Sequence, residues 1–276
     1  MALSLAALVA GCGGSDGTGT SSGSGAGPAG ASPALGTASA YGVFASADAA
    51  VTLVDNSTGA GSRIVGDVGL MNGAGACNGC DTFSVSGAIR NGGALAAKAQ
   101  TDFIAAYTDA STRSANACTL SAFVEIAGPQ GACSGYAVTP GTDTTYNSVT
   151  APTYEPGLYT SGSTIDLGVT KTIFLDAKGN PNAVFIFQAG SAITTGNNSK
   201  VVLINGAKAK NVWWIAGSNA TLGYSSTFSG TIVTNGATGI TVAAGSTSSA
   251  PMVVEGRLLS SAAVNVAQYV TVTVPQ

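Results

Sequence analysis

The chain has 276 residues, of which 8% are charged, and carries a net charge of −3. An ordinary globular domain is about 25% charged, yet the chain holds 45% hydrophobic residues and 39 glycines, which is too apolar for a disordered chain. No run of about 18 apolar residues is present to make a spanning helix, and ten basic residues are too few to neutralise a nucleic-acid backbone. A β-rich exported protein is the class that remains.

The N-terminus carries an address. Residues 1–12 are a short apolar run ending in Val9-Ala10-Gly11-Cys12. Small residues directly before a cysteine resemble the bacterial lipobox, in which the signal segment is cleaved and the cysteine, here Cys12, is acylated. No Lys or Arg precedes the run, so either the usual basic start of a signal peptide is missing or the start of the sequence is misplaced. Residues 13–34 are almost all Gly, Ser, Thr, Ala and Pro, the composition of a flexible tether. The working domain is expected over residues 35–276.

Within it, residues 35–90 read as short strands between Gly, Asn and Asp turns. Residues 94–113 change period: Leu95, Ala99, Phe103, Ala106 and Ala110 recur at helical spacing, with a mostly alanine face suited to close packing on a flat wall. Lys98 and Asp102 form an i,i+4 pair on another face, and Asn91 is the expected N-cap. Residues 115–150 are rich in turn residues and read as an insertion or cap. Residues 155–275 return to short strands.

Besides Cys12, four cysteines are present: Cys77, Cys80, Cys118 and Cys133. A zinc site from Cys77-Asn78-Gly79-Cys80 would need a second pair or histidines, and the chain has no histidine. A redox dithiol would need a βαβ setting that the flanking sequence lacks. Structural disulfides Cys77–Cys80 and Cys118–Cys133 suit an oxidising compartment, with the other pairings still open at this point. No metal and no cofactor is expected.

The last region repeats itself. Ile193-Thr194-Thr195-Gly196, Ala220-Thr221-Leu222-Gly223, Ile240-Thr241-Val242-Ala243 and Val264-Asn265-Val266-Ala267 share one pattern, and Ile165-Asp166-Leu167-Gly168 is a looser fifth copy. From Asp166 the second residues follow at steps of 28, 27, 20 and 24 residues, suiting coils of a β-helix with about three short strands each. Because strand side chains alternate, inward first and third residues leave two outward columns. One holds Asp166, Thr194, Thr221, Thr241 and Asn265; the other holds Gly196, Gly223, Ala243 and Ala267. The apolar strands between the copies, such as 183–187, 201–204 and 212–215, are expected to fill the core.

Catalysis finds no support. Without histidine there is no Ser-His or Cys-His pair, and the scattered acids form no D-x-D or E-x-x-E motif. Asp67 and Asp176 read as turn residues bonding corner amides. A surface adhesin or glycan-binding module would need exposed aromatics, for which Tyr154, Tyr159, Tyr224 and Tyr269 are the candidates.

Several blocks carry a resemblance. Leu35-Gly36-Thr37-Ala38, Gly66-Asp67-Val68-Gly69, Pro156-Gly157-Leu158-Tyr159, Asn182 to Gln188, Val202 to Ala207, Asn211-Val212-Trp213-Trp214, Ala220-Thr221-Leu222-Gly223, Phe228-Ser229-Gly230 and Gly256-Arg257 follow in an order that resembles the ice-binding proteins of cold-adapted bacteria, fungi and microalgae. The likeness covers about residues 35–275. It implies a mainly β protein, a discontinuous right-handed β-solenoid of triangular section with one long helix packed alongside. It also implies ice binding through a flat face of outward Thr, Asn, Ala and Gly, with the ice crystal surface as partner. Apart from the resemblance, a monomer is expected, with membrane contact only through the anchor at Cys12. Asp166 and Asn265 interrupt the threonines, Ala243 and Ala267 lack hydroxyls and Tyr224 stands beside the column, so the expected activity is moderate.

Overall fold

The computed structural model describes residues 28–46, 50–55, 61–71, 77–120 and 124–276. Cys12, the signal segment and most of the tether lie outside the described residues. Parallel strands stack into a three-sided solenoid. One side is an eight-stranded sheet; the other two belong to a sixteen-stranded sheet that folds round one edge of the triangle. The fold line runs through two long strands, Thr227–Thr234 and Met252–Ser260. They bend where Gly230 and Gly256 are register partners. A Cβ on Gly256 would lie 1.8 Å from the Gly230 carbonyl oxygen, so a corner this tight excludes any side chain.

Each side follows from its alternation. On the side beneath the helix, Phe185, Phe187, Val212 and Trp214 point into the solenoid, while Ile186, Trp213 and Ile215 point outward under the helix. Strands buried on both faces read as continuous apolar runs, and Val212–Ala216 is buried at every position. Inside, Tyr159, Phe187 and Trp214 are register partners. Their rings stack at 4.9 and 4.2 Å between centroids.

The order of strands is discontinuous. Val51–Leu53 pairs with Val264–Val266, and Arg63–Val65 pairs with Val270–Thr273, so the first coils continue the stack that the last coils began. Val270–Thr273 is therefore an interior strand, paired on its other side with Met252–Ser260. The helix, Gly93–Thr112, returns the chain to the opposite end. Between the strand before it, Ile89–Asn91, and the strand after it, Cys118–Thr119, the sheet steps through eight strand spacings. At about 4.8 Å each that is about 38 Å, and 20 residues of helix cover about 30 Å of it.

The helix departs from the sequence reading in two ways. Its buried stripe is Ala96, Ala99, Phe103, Ala106 and Ala110, whereas Leu95 is 53% exposed. Spacings of three and four from Ala96 set only small residues and Phe103 against the sheet, so the backbone comes close, and Leu95 would hold it off. The N-cap is Gly92, at φ 76°, with no side-chain cap, in place of Asn91. The Lys98–Asp102 pair forms.

Residues 115–150 divide. Cys118–Thr119 and Val124–Glu125 are strands of the terminal coil. Beyond it, Thr142–Tyr146 forms a hairpin with Val149–Tyr154 over a small cluster of Ala151, Phe174 and Ile204. Disulfides Cys77–Cys80 and Cys118–Cys133 form, one at each end of the stack. Residues 28–34, read from composition as the end of the tether, lie against the domain. Arg113 donates to the carbonyls of Ala29 and Ala31 at 2.7 and 2.6 Å, and Trp213 Nε1 donates to Ser32 Oγ at 2.9 Å.

Candidate functional site

The eight-stranded side carries the outward column. Its register partners run Asn78, Thr52, Asn265, Thr241, Thr221, Thr194, Asp166 and Glu125. Eight strands about 4.8 Å apart make a ladder about 34 Å long. The structure thus brings Asp166, Thr194, Thr221, Thr241 and Asn265 together as nearest neighbours. On either side of the column the same strands bury apolar residues, such as Ala220 with Leu222 and Ile240 with Val242. That inward packing holds each threonine backbone in place, and the β-branch restricts χ1. Thr221, Thr241 and Asn265 are exposed; Thr194, Asp166 and Thr52 are half-buried.

Three members of the column, Thr52, Asn78 and Glu125, lay outside the sequence repeat. Val51-Thr52-Leu53 has the same apolar-polar-apolar form as Val264-Asn265-Val266, and comparing the two triplets would have found it. Cys77-Asn78 and Val124-Glu125 are too short to carry such a signal. Charge enters only at one end, through Asp166 and Glu125. There the Thr194 hydroxyl donates to the Asp166 carboxylate, and Glu125 accepts weakly from the Gly168 N–H at 3.4 Å.

The second column differs from its expectation. Strands Ile193–Thr195 and Gly239–Val242 end before Gly196 and Ala243, and the chain turns a corner there. Backbone bonding persists, from Gly196 N to Leu167 O, Ala243 N to Leu222 O and Ala267 N to Val242 O. Gly223 is buried, and its N–H donates to the Thr195 hydroxyl at 3.0 Å. A Cβ at Gly223 would meet the Gly196 carbonyl carbon at 2.4 Å, and one at Gly196 would meet Val169 N at 2.4 Å. Gly196 and Gly223 serve close stacking at a corner; Ala243 and Ala267 are half-buried beside it.

The other two sides present different surfaces. One is covered by the helix. The second shows Lys200, Thr227, Val253, Thr271 and Arg63 as successive register partners, with exposed Glu255 in the next row. Charged chains impose their own hydration on that side, and the hairpin sits over its end. Of the four tyrosines considered for an aromatic groove, Tyr154 and Tyr159 are fully buried in the interior stack, because the inward positions of their strands have room for rings. Tyr224 is 40% exposed at the corner beside the threonine side. Tyr269 is half-buried. They form no shared cleft. Asp67 Oδ1 accepts from Ala88 N and Asp176 Oδ1 from Lys178 N, each at 2.8 Å, which are corner roles. Among the described residues, no group of three or more Cys, Asp or Glu could hold a metal ion. No helix there is long and apolar enough to cross a membrane.

A family model described as ice-binding-like matches residues 46–272. The chain is 34% identical over 199 residues to an ice-binding protein of Nostoc sp. strain HG1, covering 72% of this chain and 61% of that relative. It is 33% identical over 124 residues to an ice-binding protein of Flavobacterium frigoris strain PS1, covering 45% of this chain and 40% of that protein. The chain thus spans less than two thirds of the length of these curated relatives. Among solved structures, an ice-binding protein from an Antarctic biological consortium superposes with a TM-score of 0.69 at 27% identity, over 88% of this chain and 91% of that one. An ice-binding protein of the Antarctic ascomycete Antarctomyces psychrotrophicus gives 0.65 at 26% identity, over 88% and 98%.

Proposed function

The chain belongs to the ice-binding-like family, and on that premise we propose that it binds ice through its eight-stranded side, without catalysis. The observation that carries this reading is the outward register of Thr194, Thr221 and Thr241 on three successive parallel strands. Strands about 4.8 Å apart place methyls and hydroxyls at a fixed repeat. The methyls present apolar surface and the hydroxyls anchor waters, so an ordered water layer can merge with a crystal plane. The centre of the column is uncharged, whereas the other two sides are covered or charged. Of the second column, Ala243 and Ala267 flank the binding surface, and Gly196 and Gly223 keep its edge flat.

Ice recrystallisation inhibition and thermal hysteresis on the disulfide-intact chain test this directly, beside Thr221→Tyr and Thr241→Tyr. Activity in the parent that collapses in both variants, with unchanged circular dichroism, supports the site. Activity that survives both substitutions moves the site to another side. An inactive parent rejects the reading.

The address belongs to the same proposal. Residues 1–12 act as a lipoprotein-type signal, Cys12 as the acylated anchor, and the following segment as the tether. The packed strap at residues 28–34 supports departure of the tether beside the helix C-terminus, away from the threonine side. An anchored ice binder would hold a cell to ice or shield its surface from crystal growth. Metabolic labelling with a fatty acid, lost in Cys12→Ser, is the corresponding test.

A further inference from the structure

The chain has four arginines, and three of them sit in ordinary surroundings. Arg90 pairs with Asp67 at 3.0 Å and Arg113 with Asp109 at 2.7 Å, while Arg63 is exposed to water. Arg257 is different. It is 6% exposed, and among the described residues no carboxylate pairs with it. Its Nε–H donates to the Ser39 carbonyl at 2.9 Å. Among the described residues its terminal nitrogens reach only Thr231 Oγ1 and the Pro275 carbonyl, both at 3.5 Å, beyond the 2.7–3.2 Å of ordinary N–H···O bonds. A guanidinium has five N–H donors, so even counting these, two find no acceptor among the described residues. Burial pulls its pKa down to about 10, which leaves it cationic at neutral pH. A buried charge without a counter-ion is costly, and one good hydrogen bond, to the Ser39 carbonyl, relieves only part of it.

What adjoins it is space. A cleft of about 510 Å³ opens beside the guanidinium, bounded by Ser39, Val65, Gly66, Ser86, Val274 and Gln276. Four segments meet there beside Arg257: residues 36–40, the corner at Gly66, the turn at Ser86 and residues 274–276. The Ser86 hydroxyl accepts from the Gly66 N–H at 3.1 Å, and its own proton remains for a ligand. We propose that this cleft binds a small oxyanion, a carboxylate or a sulfate- or phosphate-type group, with Arg257 as its cationic floor. The planar fork of a guanidinium matches two oxygens of such a group, and the Ser86 hydroxyl supplies a further donor at the rim. The cleft lies on the edge of the triangle opposite the threonine side, so occupancy leaves that side open. A bound anion would also tie residues 39–40 to residues 274–276, and stabilise the fold by mass action.

The test uses the full chain labelled with ¹⁵N-arginine, whose four Nε–H signals are followed during titration with sodium sulfate or sodium acetate against sodium chloride at constant ionic strength. One signal, the one missing in Arg257→Lys, is expected to shift saturably while the other three stay, and the thermal midpoint to rise along the same curve. Response to acetate alone assigns a carboxylate ligand; response to sulfate alone assigns a tetrahedral oxyanion. If Arg257→Lys does not fold, Arg63→Lys, Arg90→Lys and Arg113→Lys assign the signal by elimination. The proposal is overturned if no signal saturates, if all four move together, or if chloride gives the same shift.

Discussion

The Thr194 hydroxyl donates a hydrogen bond to the carboxylate of Asp166 on the neighbouring coil. In a bare repeat the two residues are successive members of one column, one useful to an ordered water layer and one disruptive. Together they form a closed pair: the threonine proton is taken up by the protein, and a charge ends the regular part of the ladder. The uncharged stretch with free hydroxyls is centred on Thr221 and Thr241.

Asp166→Thr removes the charge and releases the Thr194 hydroxyl. Ice recrystallisation inhibition is expected to strengthen, because the threonine run grows from three coils to four. Stability should fall by no more than about 0.5–1.5 kcal/mol, the net contribution of the one hydrogen bond that is lost. Weaker inhibition in a folded variant would mean that the Asp166–Thr194 pair itself contacts ice.

Gly223→Ala separates contact from architecture. The added methyl meets the Gly196 carbonyl carbon at 2.4 Å, and backbone must move to admit it. The expected cost is about 1–3 kcal/mol, read by chemical denaturation. An unchanged midpoint would show that the corner is looser than its stacking implies.

Trp214 stacks on Phe187 with ring planes 10° apart and donates its Nε1–H to the Ser229 carbonyl at 3.0 Å. Trp214→Ala should cost about 3–5 kcal/mol, because neighbouring coils on both sides hold the cavity open. A loss below about 1 kcal/mol in equilibrium denaturation, far under the range for such truncations, would show that the interior collapses around the gap.

Asp102 joins the helix to the short helical turn Gly36–Ala40. Its carboxylate pairs with Lys98 and accepts the Thr37 N–H at 2.7 Å. The Lys98 hydrogen bond, and after it the Thr37 amide, hold its pKa below the ordinary 3.8. A carboxyl with a lower pKa folded than unfolded contributes stability that is complete above the ordinary value and lost as pH falls below it. Asp102→Asn should therefore flatten the fall in thermal midpoint below about pH 4, set by that 3.8. The difference should be no larger than the about 0.2–1 kcal/mol of an exposed ion pair. Parallel pH profiles for parent and variant would rule this link out.

Much of the fold was legible in local patterns. Coil spacing, the apolar strands, the helix and the column from Asp166 to Asn265 all rest on alternation and period, which are properties of short segments. Legibility ended where two patterns were equally good. Leu95 and Ala96 both fit an apolar stripe on the helix, and only the flat sheet beneath, which admits methyls and rejects a leucine, chose Ala96. Residues 28–34 have the composition of a linker. The side chains of Trp213 and Arg113, more than 75 residues away in sequence, turn them into a packed strap.

The amino-acid sequence by itself determined which residues face outward and how far apart the coils recur, because a strand alternates its side chains whatever surrounds it. Tertiary structure alone decided which coils are neighbours. Thr52 follows Asn265 in the ladder because the helix carries the chain back along the stack, and the last coils then return to meet the first. It also decided that Arg257 is a buried cation beside a cleft, since that environment is assembled from four other segments whose meeting no local pattern encodes.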